Sequence, residues 1–344
     1  MNRTSLQLRA AIVAGVLLVT AFATAPAAPS TIPTRAAATP AAAAAPRTDL
    51  PNSCKADKPI LGVALPNTVN PYYVSMRQSF LDNGAKAGFD VKVAIANDSD
   101  SNQLSQIDAF IQQKVCAVAL NAVNSGPGAA SVAALNRAGI PVFTVNVIVS
   151  PDDLKRQKAS ILQYVGADQV EGGKVMGEAV VEDLGKDAKI IAGIIGDPDQ
   201  IPTNQRDQGF KDAISVNPNA TAKALVNGKV DPQVSLKVTT EMLQGNPDIN
   251  VIFADTGPHA VGGIQAIKQL NLSGKVSLYG FCAAETALDD TVYRGCAAQE
   301  PADYARIVVE NVKQYLGGED VPAEILRPLK VFTEGQKPAP GEVG

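Results

Sequence analysis

The stretch VALPNTVNPYYVSMRQSF, residues 63–80, contains the end of one apolar run and the start of one helical pattern. The apolar run stops at Pro66, and apolar residues with helical spacing begin after Pro71. Tyr72 and Tyr73 therefore fall where a strand leads into a helix. Because adjacent side chains on a helix point about 100° apart, one tyrosine can pack on the sheet while the other faces the space beyond the strand. The alternative is that both belong to the core.

Short apolar runs alternate with helical patterns along the rest of the chain. In the first half, helical patterns separate ILGVAL, FDVKVAIA, VCAVALNAV and IPVFTVNVIV, and the same rhythm restarts with AKIIAGIIGD, INVIFADTG and KVSLYGFC. Such alternation is typical of parallel βαβ units. Because the rhythm restarts, we predict an α/β fold of two doubly wound, Rossmann-like lobes, each with a parallel sheet.

The N-terminal part of the sequence has the features of an export signal. Two arginines precede an apolar run at residues 10–23, which is too short for a comfortable membrane span, and small residues follow at 25–27. We predict a signal peptide over residues 1–27, with earlier cleavage or an uncleaved anchor as alternatives. An Ala/Pro-rich flexible tether is expected over residues 28–57. The protein is thus expected in the periplasm or on the outer face of the cell envelope, and membrane association stays open.

Composition and charge narrow the class of partner. The 344 residues are enough for two domains, and 46% hydrophobic with 19% charged residues is a globular composition. Loss of the two signal arginines lowers the formal net charge from −4 to −6. Binding to phosphate backbones requires a basic patch, so we expect no nucleic-acid partner.

The four cysteines allow three pairings, and disulfides persist in exported chains. We predict a Cys54–Cys116 bond, because the segment before the first strand and the start of the third strand should meet at one end of the sheet. We expect Cys282 and Cys296 to stay unpaired. If their strands are parallel neighbours, Cys282 ends at the cleft and Cys296 starts well below it, beyond the usual limit of about 7 Å between Cα atoms.

Motifs for metal, phosphate and catalytic chemistry are missing from the sequence. CxxC spacing does not occur, and the single His259 cannot form a histidine cluster, so we expect no metal site. Neither GxGxxG nor GxxxxGK[ST] follows a strand, and we expect no cofactor. No GxSxG elbow accompanies His259, and Asp197 and Asp199 flank a proline as in a common turn. We therefore predict a protein that is not an enzyme and has no catalytic residues.

Candidate site residues follow the apolar runs directly, because ligands of open parallel sheets bind beyond the carboxyl ends of the strands. These segments are rich in Asn, Asp, Tyr and Thr and poor in clustered charge, which suits a neutral ligand that forms hydrogen bonds. Asparagines in loops also cap helices and stabilise turns, which is the alternative for each of them. The segments are Asn67–Tyr73, Asn97–Ser101, Asn121–Ser125, Asn146, Asp197–Arg206, Asp255–His259, Cys282 and Gln299.

Six segments of the sequence resemble a known family. From Lys58 to Thr333 the chain resembles the periplasmic sugar-binding proteins of the ribose-binding type, which are solute receptors of ABC importers. The segments that carry the resemblance are NPYYVSM, GIPVFTVN, YVGADQVEGGKVMGE, NQRDQGF, VIFADTGPHAVGGIQAIK and LYGFCAAE. They occur in order and span nearly the whole mature domain, so the resemblance implies two lobes joined by a three-segment hinge, the type 1 periplasmic-binding fold.

The resemblance also implies roles for residues at the strand ends. In the family, two aromatic residues after Asn-Pro lie at the cleft between the lobes, where a ring packs against the C–H surface of the sugar. Tyr72 and Tyr73 match that pair, and a tyrosine offers a flat apolar body with a polar tip. The other matching cleft positions are Asn70, Asn121, Phe281 and Gln299.

At two strand ends the chain departs from the ribose-binding pattern by losing a carboxylate. Asn146 and Val147 replace the Asp-Arg pair after the fourth strand, and Cys282 replaces the Asp that follows Gly-Phe. A carboxylate accepts two charge-assisted hydrogen bonds from sugar hydroxyls, and a thiol is a poor substitute. The expected ligand is therefore a neutral polyol, a deoxy or furanose sugar, or another small oxygenated metabolite.

Three further positions also differ from the family pattern. The arginine that contacts the sugar ring matches Asn204, whereas Arg206 matches a second, more widespread arginine that has either a binding or a structural role. The strand-end asparagine matches Thr256, with Asp255 beside it. Asp255 and His259 could add a charged contact, or His259 could instead begin or cap a helix.

The function implied by the resemblance is that of an exported receptor. It would close two lobes on a small neutral polar ligand and deliver it to the membrane permease of an ABC importer, acting as a monomer. The alternative is a receptor of the same fold that signals to a membrane kinase or chemoreceptor. The lobes would comprise residues 58–166 plus 300–326 and residues 167–299 plus 327–344.

Overall fold

The computed structural model describes residues 50–284 and 286–344. The predicted signal peptide and the tether up to residue 49 lie outside this part of the chain. Among the residues described, no helix combines the length and the apolar character needed to cross a bilayer.

From residue 60 to residue 281 strands and helices alternate as the sequence predicts, whereas no helix separates the ninth strand from the tenth or the eleventh from the twelfth. The strands are β1 (Ile60–Leu65), β2 (Asp90–Ile95), β3 (Ala117–Leu120), β4 (Val142–Val145), β5 (Gln163–Ala167), β6 (Ile190–Gly196), β7 (Ala220–Asn227), β8 (Val251–Ala254), β9 (Ser277–Phe281), β10 (Tyr293–Ala298), β11 (Glu324–Arg327) and β12 (Lys330–Thr333). The α-helices are α1 (Pro71–Ala87), α2 (Asp100–Gln112), α3 (Gly128–Arg137), α4 (Pro151–Gln157), α5 (Gln169–Leu184), α6 (Ile201–Ile214), α7 (Pro232–Gly245), α8 (Gly257–Gln269) and α9 (Pro301–Leu316). A short 3₁₀ helix, Asn52–Lys55, precedes β1.

The strands form two six-stranded sheets, which confirms the predicted fold of two Rossmann-like lobes. The first sheet has the order β11-β5-β4-β3-β1-β2, and all of its strands are parallel. The second has the order β12-β10-β9-β8-β6-β7, and only β12 runs antiparallel to its neighbour. We call the sheets with their helices the first lobe and the second lobe. Helix α9 packs on α1 and so belongs to the first lobe, although it follows the second-lobe strands.

Burial explains why the central strands read as continuous apolar runs. Strands β3, β4, β6 and β8 are buried along their whole length, because helices cover both faces of each sheet. The edge strand β7 instead alternates between exposed and partly buried residues. In the second lobe, Phe210 and Phe253 stack with ring centroids 4.3 Å apart between a helix and the sheet. The cores therefore lie between helices and sheets, and polar residues collect at the strand ends.

The chain passes between the sheets at three points. It leaves the first sheet after Ala167, returns to the first lobe after Ala298, and enters the second sheet again after Arg327. Each passage follows a strand directly, so all three connections lie side by side at the carboxyl ends of β5, β10 and β11. This arrangement places the hinge next to the strand ends that the sequence identifies as candidate site residues.

The cysteines form two disulfides in the structure. Cys54 is joined to Cys116 with Cα atoms 4.8 Å apart, the pair that the sequence predicts. The expectation that Cys282 and Cys296 stay unpaired is wrong, because they are also joined, with Cα atoms 4.9 Å apart. Strand β10 begins at Tyr293, three residues before Cys296, so Cys296 lies opposite Gly280 near the carboxyl end of β9. The error came from placing the start of this strand too late in the sequence.

Candidate ligand-binding site

A small cavity lies between the two lobes at the carboxyl ends of their strands. Its free volume is about 20 Å³, little more than one water molecule needs. The lobes contribute polar side chains from both sides, and the lining consists of Asn70, Tyr72, Tyr73, Asn146, Val147, Gln200, Pro202, Thr203, Arg206, Val230, Thr256, Gln299 and Gly344.

Direct hydrogen bonds join the lobes beside this cavity. The amide of Gln200 donates to the carbonyl of Val123 at 3.1 Å, and the backbone N–H of Ile201 donates to the hydroxyl of Ser125 at 2.8 Å. The backbone N–H of Ser125 donates in turn to the carbonyl of Asp199 at 3.2 Å. The structure is therefore a closed form, in which the cleft is shut between α3 and α6.

Helix α1 positions the two tyrosines. The side chain of Asn70 accepts a hydrogen bond from the backbone N–H of Tyr72 at 3.0 Å, and Pro71 occupies the first helical position, so the helix begins directly after the strand-end loop. The rings of Tyr72 and Tyr73 meet edge to face with centroids 5.5 Å apart, and both are almost fully buried. Burial raises the pKa of both phenols, so each keeps its proton and can donate it. The rings therefore belong to the core and also line the cavity, so burial in the core and exposure to the space beyond the strand do not exclude each other.

Arg206 is a buried cation on the floor of the cavity. Its Nε donates to Gln169 Oε1 and its Nη1 donates to the carbonyl of Asp255, both at 2.7 Å. The guanidinium carbon lies 3.8 Å from the ring centroid of Phe281. Gly173 allows this approach of α5 and α6, because a Cβ there would lie 1.8 Å from the carbonyl oxygen of Arg206. Burial lowers the pKa of Arg206 and the Asp255 carboxylate opposes that shift, so the group remains a cation.

Among the described residues, Nη2 of Arg206 makes no hydrogen bond, whereas its other two guanidinium nitrogens do. Because Arg206 lines the cavity, the two N–H groups of this nitrogen remain available to a ligand. The charge-assisted hydrogen bond that it can form is the strongest available in the cavity.

Asp255 and His259 form a buried pair that does not line the cavity. His259 Nε2 accepts a hydrogen bond from the backbone N–H of Val230 at 2.8 Å, so the ring proton is on Nδ1, which lies 2.5 Å from Asp255 Oδ1. Thr256 is the N-cap of α8 and accepts from the backbone N–H of His259 at 3.4 Å. His259 therefore lies in the first turn of that helix, and the pair connects α8 with the loop after β7.

Two further acids lie near this pair. A Cβ on Gly196 would be 2.7 Å from Asp207 Oδ2 and 3.2 Å from Asp255 Oδ2, so both carboxylates face the same glycine. Burial and the charge of Asp255 raise the pKa of Asp207 to about 8. Burial also raises the pKa of Asp197. Asp207 is thus protonated at neutral pH, which avoids a second buried negative charge beside that of Asp255.

The predicted site residues divide into two groups. The seven that line the cavity are Asn70, Tyr72, Tyr73, Asn146, Arg206, Thr256 and Gln299. Asn146 has φ 63°, a left-handed conformation that asparagine tolerates better than most residues. Gln299 Oε1 is 3.5 Å from the hydroxyls of both Tyr72 and Tyr304.

The other five predicted residues lie outside the lining. Asn121 is buried beneath it, with its amide 3.6 Å from the sulfur of Met76, and Phe281 supports Arg206 from below. Asn204 is exposed and donates to the carbonyl of Pro198, and Asp255 is bound to His259 as described. Cys282 is bonded to Cys296, so its sulfur cannot replace the family carboxylate as a thiol.

Several lining residues were not predicted as site residues. Gln200, Pro202 and Thr203 belong to a strand-end segment that the sequence did identify, Asp197–Arg206. Val230 follows β7, an edge strand that contains no continuous apolar run. Gly344 lies beyond β12, the last strand. For these last two residues no sequence pattern indicated the cleft.

The chemistry of the cavity is that of binding by hydrogen bonds. Amides, phenols, two threonine hydroxyls and one guanidinium converge beside two aromatic rings. Such groups are suited to form hydrogen bonds with a molecule that carries several hydroxyl groups. Among residues 50–284 and 286–344, no group of three or more His, Cys, Asp or Glu side chains is placed to hold a metal ion.

Comparison with known proteins identifies relatives over most of the chain. The model of the family described as periplasmic binding protein domain matches residues 61–320. The ribose import binding protein RbsB of Bacillus subtilis is 29% identical over 278 residues, which cover 80% of this chain and 87% of that protein. The D-allose-binding periplasmic protein of Escherichia coli is 24% identical over 247 residues, covering 70% of this chain and 79% of that protein.

Solved structures show the same fold. An ABC transporter solute-binding protein from Mycobacterium smegmatis, with bound glycerol, is 24% identical and aligns with a TM-score of 0.72 over 80% of this chain and 94% of that one. An ABC transporter solute-binding protein from Bacillus halodurans, with bound myo-inositol, is 20% identical and aligns with a TM-score of 0.70 over 80% of this chain and 94% of that one. At these identities the structural matches establish the fold alone.

Proposed function

The chain belongs to the periplasmic binding protein family, and we propose that it is the exported solute-binding receptor of an ABC importer. It closes two lobes on a small neutral polar ligand and delivers that ligand to a membrane permease. The observation that carries this proposal is the polar cavity between the strand ends of two hinged lobes. The names of its relatives, such as ribose import binding protein, support import as the purpose of binding.

The charges around the cavity favour a neutral ligand. Arg206 is the only buried cation among the lining residues, and the nearby Asp255 carboxylate stabilises it. Within this small cavity a ligand carboxylate or phosphate would meet no second cation, since the remaining lining side chains are amides, hydroxyls and apolar groups. We therefore propose a sugar, a polyol or a related oxygenated metabolite.

We propose that seven residues contact the ligand. The rings of Tyr72 and Tyr73 form an apolar wall with hydroxyl groups, and Arg206 Nη2 supplies one charge-assisted donor. The amides and hydroxyl that complete the set are Asn70, Asn146, Thr256 and Gln299.

The two lobes can close on the ligand because the chain divides into two parts that are joined by the hinge. We propose that the lobes comprise residues 58–166 plus 300–326 and residues 167–299 plus 327–344, because each set contains one sheet apart from single residues at strand ends. The hydrogen bonds between Ser125 and the loop at Asp199–Ile201 would form only on closure. Part of the binding free energy is therefore used to close the hinge.

A thermal-shift screen followed by calorimetry tests the proposal. The mature protein is measured with D-ribose, D-allose, myo-inositol and glycerol, and with L-glutamine and phosphate as controls. We expect one of the polyhydroxylated compounds to raise Tm, since a ligand at 100 times its Kd stabilises by about 2.7 kcal/mol. Calorimetry should give one site and an unchanged ligand. A Tm increase with glutamine or phosphate alone, or conversion of the bound sugar, would contradict the proposal.

A further inference from the structure

The closed cavity is too small for the ligand class that we propose. Its free volume of about 20 Å³ is near the minimum for one water molecule, and a monosaccharide is several times larger. A second cavity of about 350 Å³ lies beside it, between Val69 and Pro71 of the first lobe and Pro258 and Val261 of the second. Ligand sites commonly have volumes of about 300–1,000 Å³, so the two cavities together would be large enough.

The partition between these cavities is made partly by the end of the described chain. Both cavities are lined by Asn70, Val230 and Gly344. We call residues 339–344 the tail segment; it follows β12 and returns to the cleft after a turn in which the N–H of Glu342 donates to the carbonyl of Ala339. The tail segment thus occupies space between the small cavity and the large one.

Backbone hydrogen bonds attach the tail segment to the second lobe. The N–H of Gly344 donates to the carbonyl of Cys282 at 2.9 Å, and the carbonyl of Gly344 accepts from the N–H of Gly257 at 3.0 Å. Gly257 follows Thr256, which lines the small cavity. The oxygen of Gly344 therefore accepts the hydrogen bond of the Gly257 N–H, a backbone donor at the edge of the proposed ligand site.

The tail segment is also attached to the first lobe and the hinge. Val343 pairs with Gln299 through two backbone hydrogen bonds of 2.7 and 3.1 Å. Its side chain is buried in the first-lobe core cluster that contains Tyr72, Tyr73 and Tyr304. The segment therefore contacts both lobes.

We propose that the tail segment is an internal occupant of the ligand cleft, with Gly344 in a position that an oxygen-bearing part of the ligand takes when it binds. This inference rests on the proposed function, because it identifies which part of the cleft must move for a sugar to fit. Displacement of Val343 and Gly344 joins the two cavities and frees the N–H of Gly257. The tail segment then limits both the affinity of the cleft and the size of ligand that it accepts.

A single methyl group can displace the tail segment. A Cβ on Gly344 would lie 2.3 Å from the backbone nitrogen of Cys282 and 2.6 Å from the carbonyl carbon of Phe281, so Gly344→Ala cannot keep the present contact. Gly245→Ala is the matched control, because a Cβ there would meet nothing within 4 Å. Val343→Ala is a second variant that weakens the attachment to the first lobe without a clash.

Hydrogen–deuterium exchange of the wild-type protein distinguishes a tail segment that the ligand displaces from one that stays in place as part of the binding site. The protein is compared with and without the sugar or polyol that raises its Tm in the screen. We expect the amides of Val343 and Gly344 to exchange faster with the sugar bound, while amides of the cleft around Tyr72 exchange more slowly. Unchanged or slower exchange of the tail amides in the complex would overturn the inference and leave the proposed function intact.

Affinity measurements provide the second test. We expect Gly344→Ala to bind the same sugar about tenfold more tightly than Gly245→Ala, the change expected if the tail-free form is populated to about a tenth in the wild type. Val343→Ala should change affinity in the same direction. Weaker binding by both tail variants would show that the segment completes the site and would overturn the inference. If neither the wild type nor Gly344→Ala binds any sugar of the panel, the proposed function and this inference both fail.

Discussion

Replacement of Arg206 by methionine tests the chemistry of the site most directly. Methionine fills a similar volume and can lie on the ring of Phe281, but it donates no hydrogen bond. Gln169 Oε1 and the carbonyl of Asp255 then lose donors that are now 2.7 Å away. The Nη2 group, which hydrogen bonds to none of the described residues, is removed as well.

The contacts of Arg206 give the size of two separate effects. Each acceptor left without a donor costs about 1–3 kcal/mol, and the cation–π contact contributes about 2 kcal/mol when desolvated. Because methionine packs on the ring in its place, we expect the free energy of unfolding to fall by roughly 3 kcal/mol. Loss of one charge-assisted hydrogen bond to the ligand, about 1.5–3 kcal/mol, should raise Kd by about 10- to 150-fold.

Calorimetry with the sugar found in the screen measures Kd, and urea denaturation measures the free energy of unfolding. Asn204→Ala is the control, because Asn204 lies two residues away on the exposed face of α6, and we expect it to change Kd by less than about twofold. A folded Arg206→Met protein with the wild-type Kd would refute the reasoning. Arg206 would then have only the structural role that the sequence left open.

Three further predictions concern the aromatic wall, the buried acid and the second disulfide. Changing Tyr72 or Tyr73 to Ala should weaken sugar binding by roughly 1–3 kcal/mol in calorimetry, and unchanged affinity in both variants would place the rings outside the site. Because Asp207 has a pKa of about 8 in the folded protein and about 4 when unfolded, the folded state holds the extra proton and stability falls as pH rises from 4 to 8. In Asp207→Asn that fall, measured by urea denaturation at pH 5 and pH 8, should be shallower than in the wild type, and parallel curves would disprove the assignment. Replacing Cys282 and Cys296 by Ser should lower the free energy of unfolding by about 3 kcal/mol, as expected for a short closed loop. The difference should vanish when both proteins are reduced, and both must be reduced because reduction also opens Cys54–Cys116; an unchanged urea midpoint in the oxidised Ser variant would argue against the bond.

The sequence by itself was enough to determine the architecture. Central strands that are covered by helices on both faces must be apolar along their whole length, so β3, β6 and β8 are each visible as a short apolar run. The interior strands β5 and β10 were not recognised in this way. Pro71 and the capping Asn70 mark the start of α1, and this signal alone is sufficient to place Tyr72 and Tyr73 at a strand end. These are local properties of the chain, and local patterns predict them.

The direction of individual side chains depended on helix phase and on partners distant in sequence. Asn204 and Arg206 are two positions apart on α6, about 200° around the helix, so one is exposed and the other faces the cavity. Asp255 follows a strand as expected, but its carboxylate turns to His259, whose other ring nitrogen is held by the N–H of Val230. A position relative to a strand end was therefore predictable, whereas the orientation of the side chain was not.

Only the tertiary structure decided the register of β10 and the path of the tail segment. Cys282 and Cys296 can form a disulfide only if β10 starts early enough to place Cys296 beside the end of β9. The residue at which β10 starts is determined by its pairing with β9, which is a contact between separate chain segments. Val343 and Gly344 have no apolar period that leads to the cleft. They lie there because a core cluster of the first lobe and backbone groups of the second lobe are brought together by the hinge, and no local pattern in the sequence encodes that meeting.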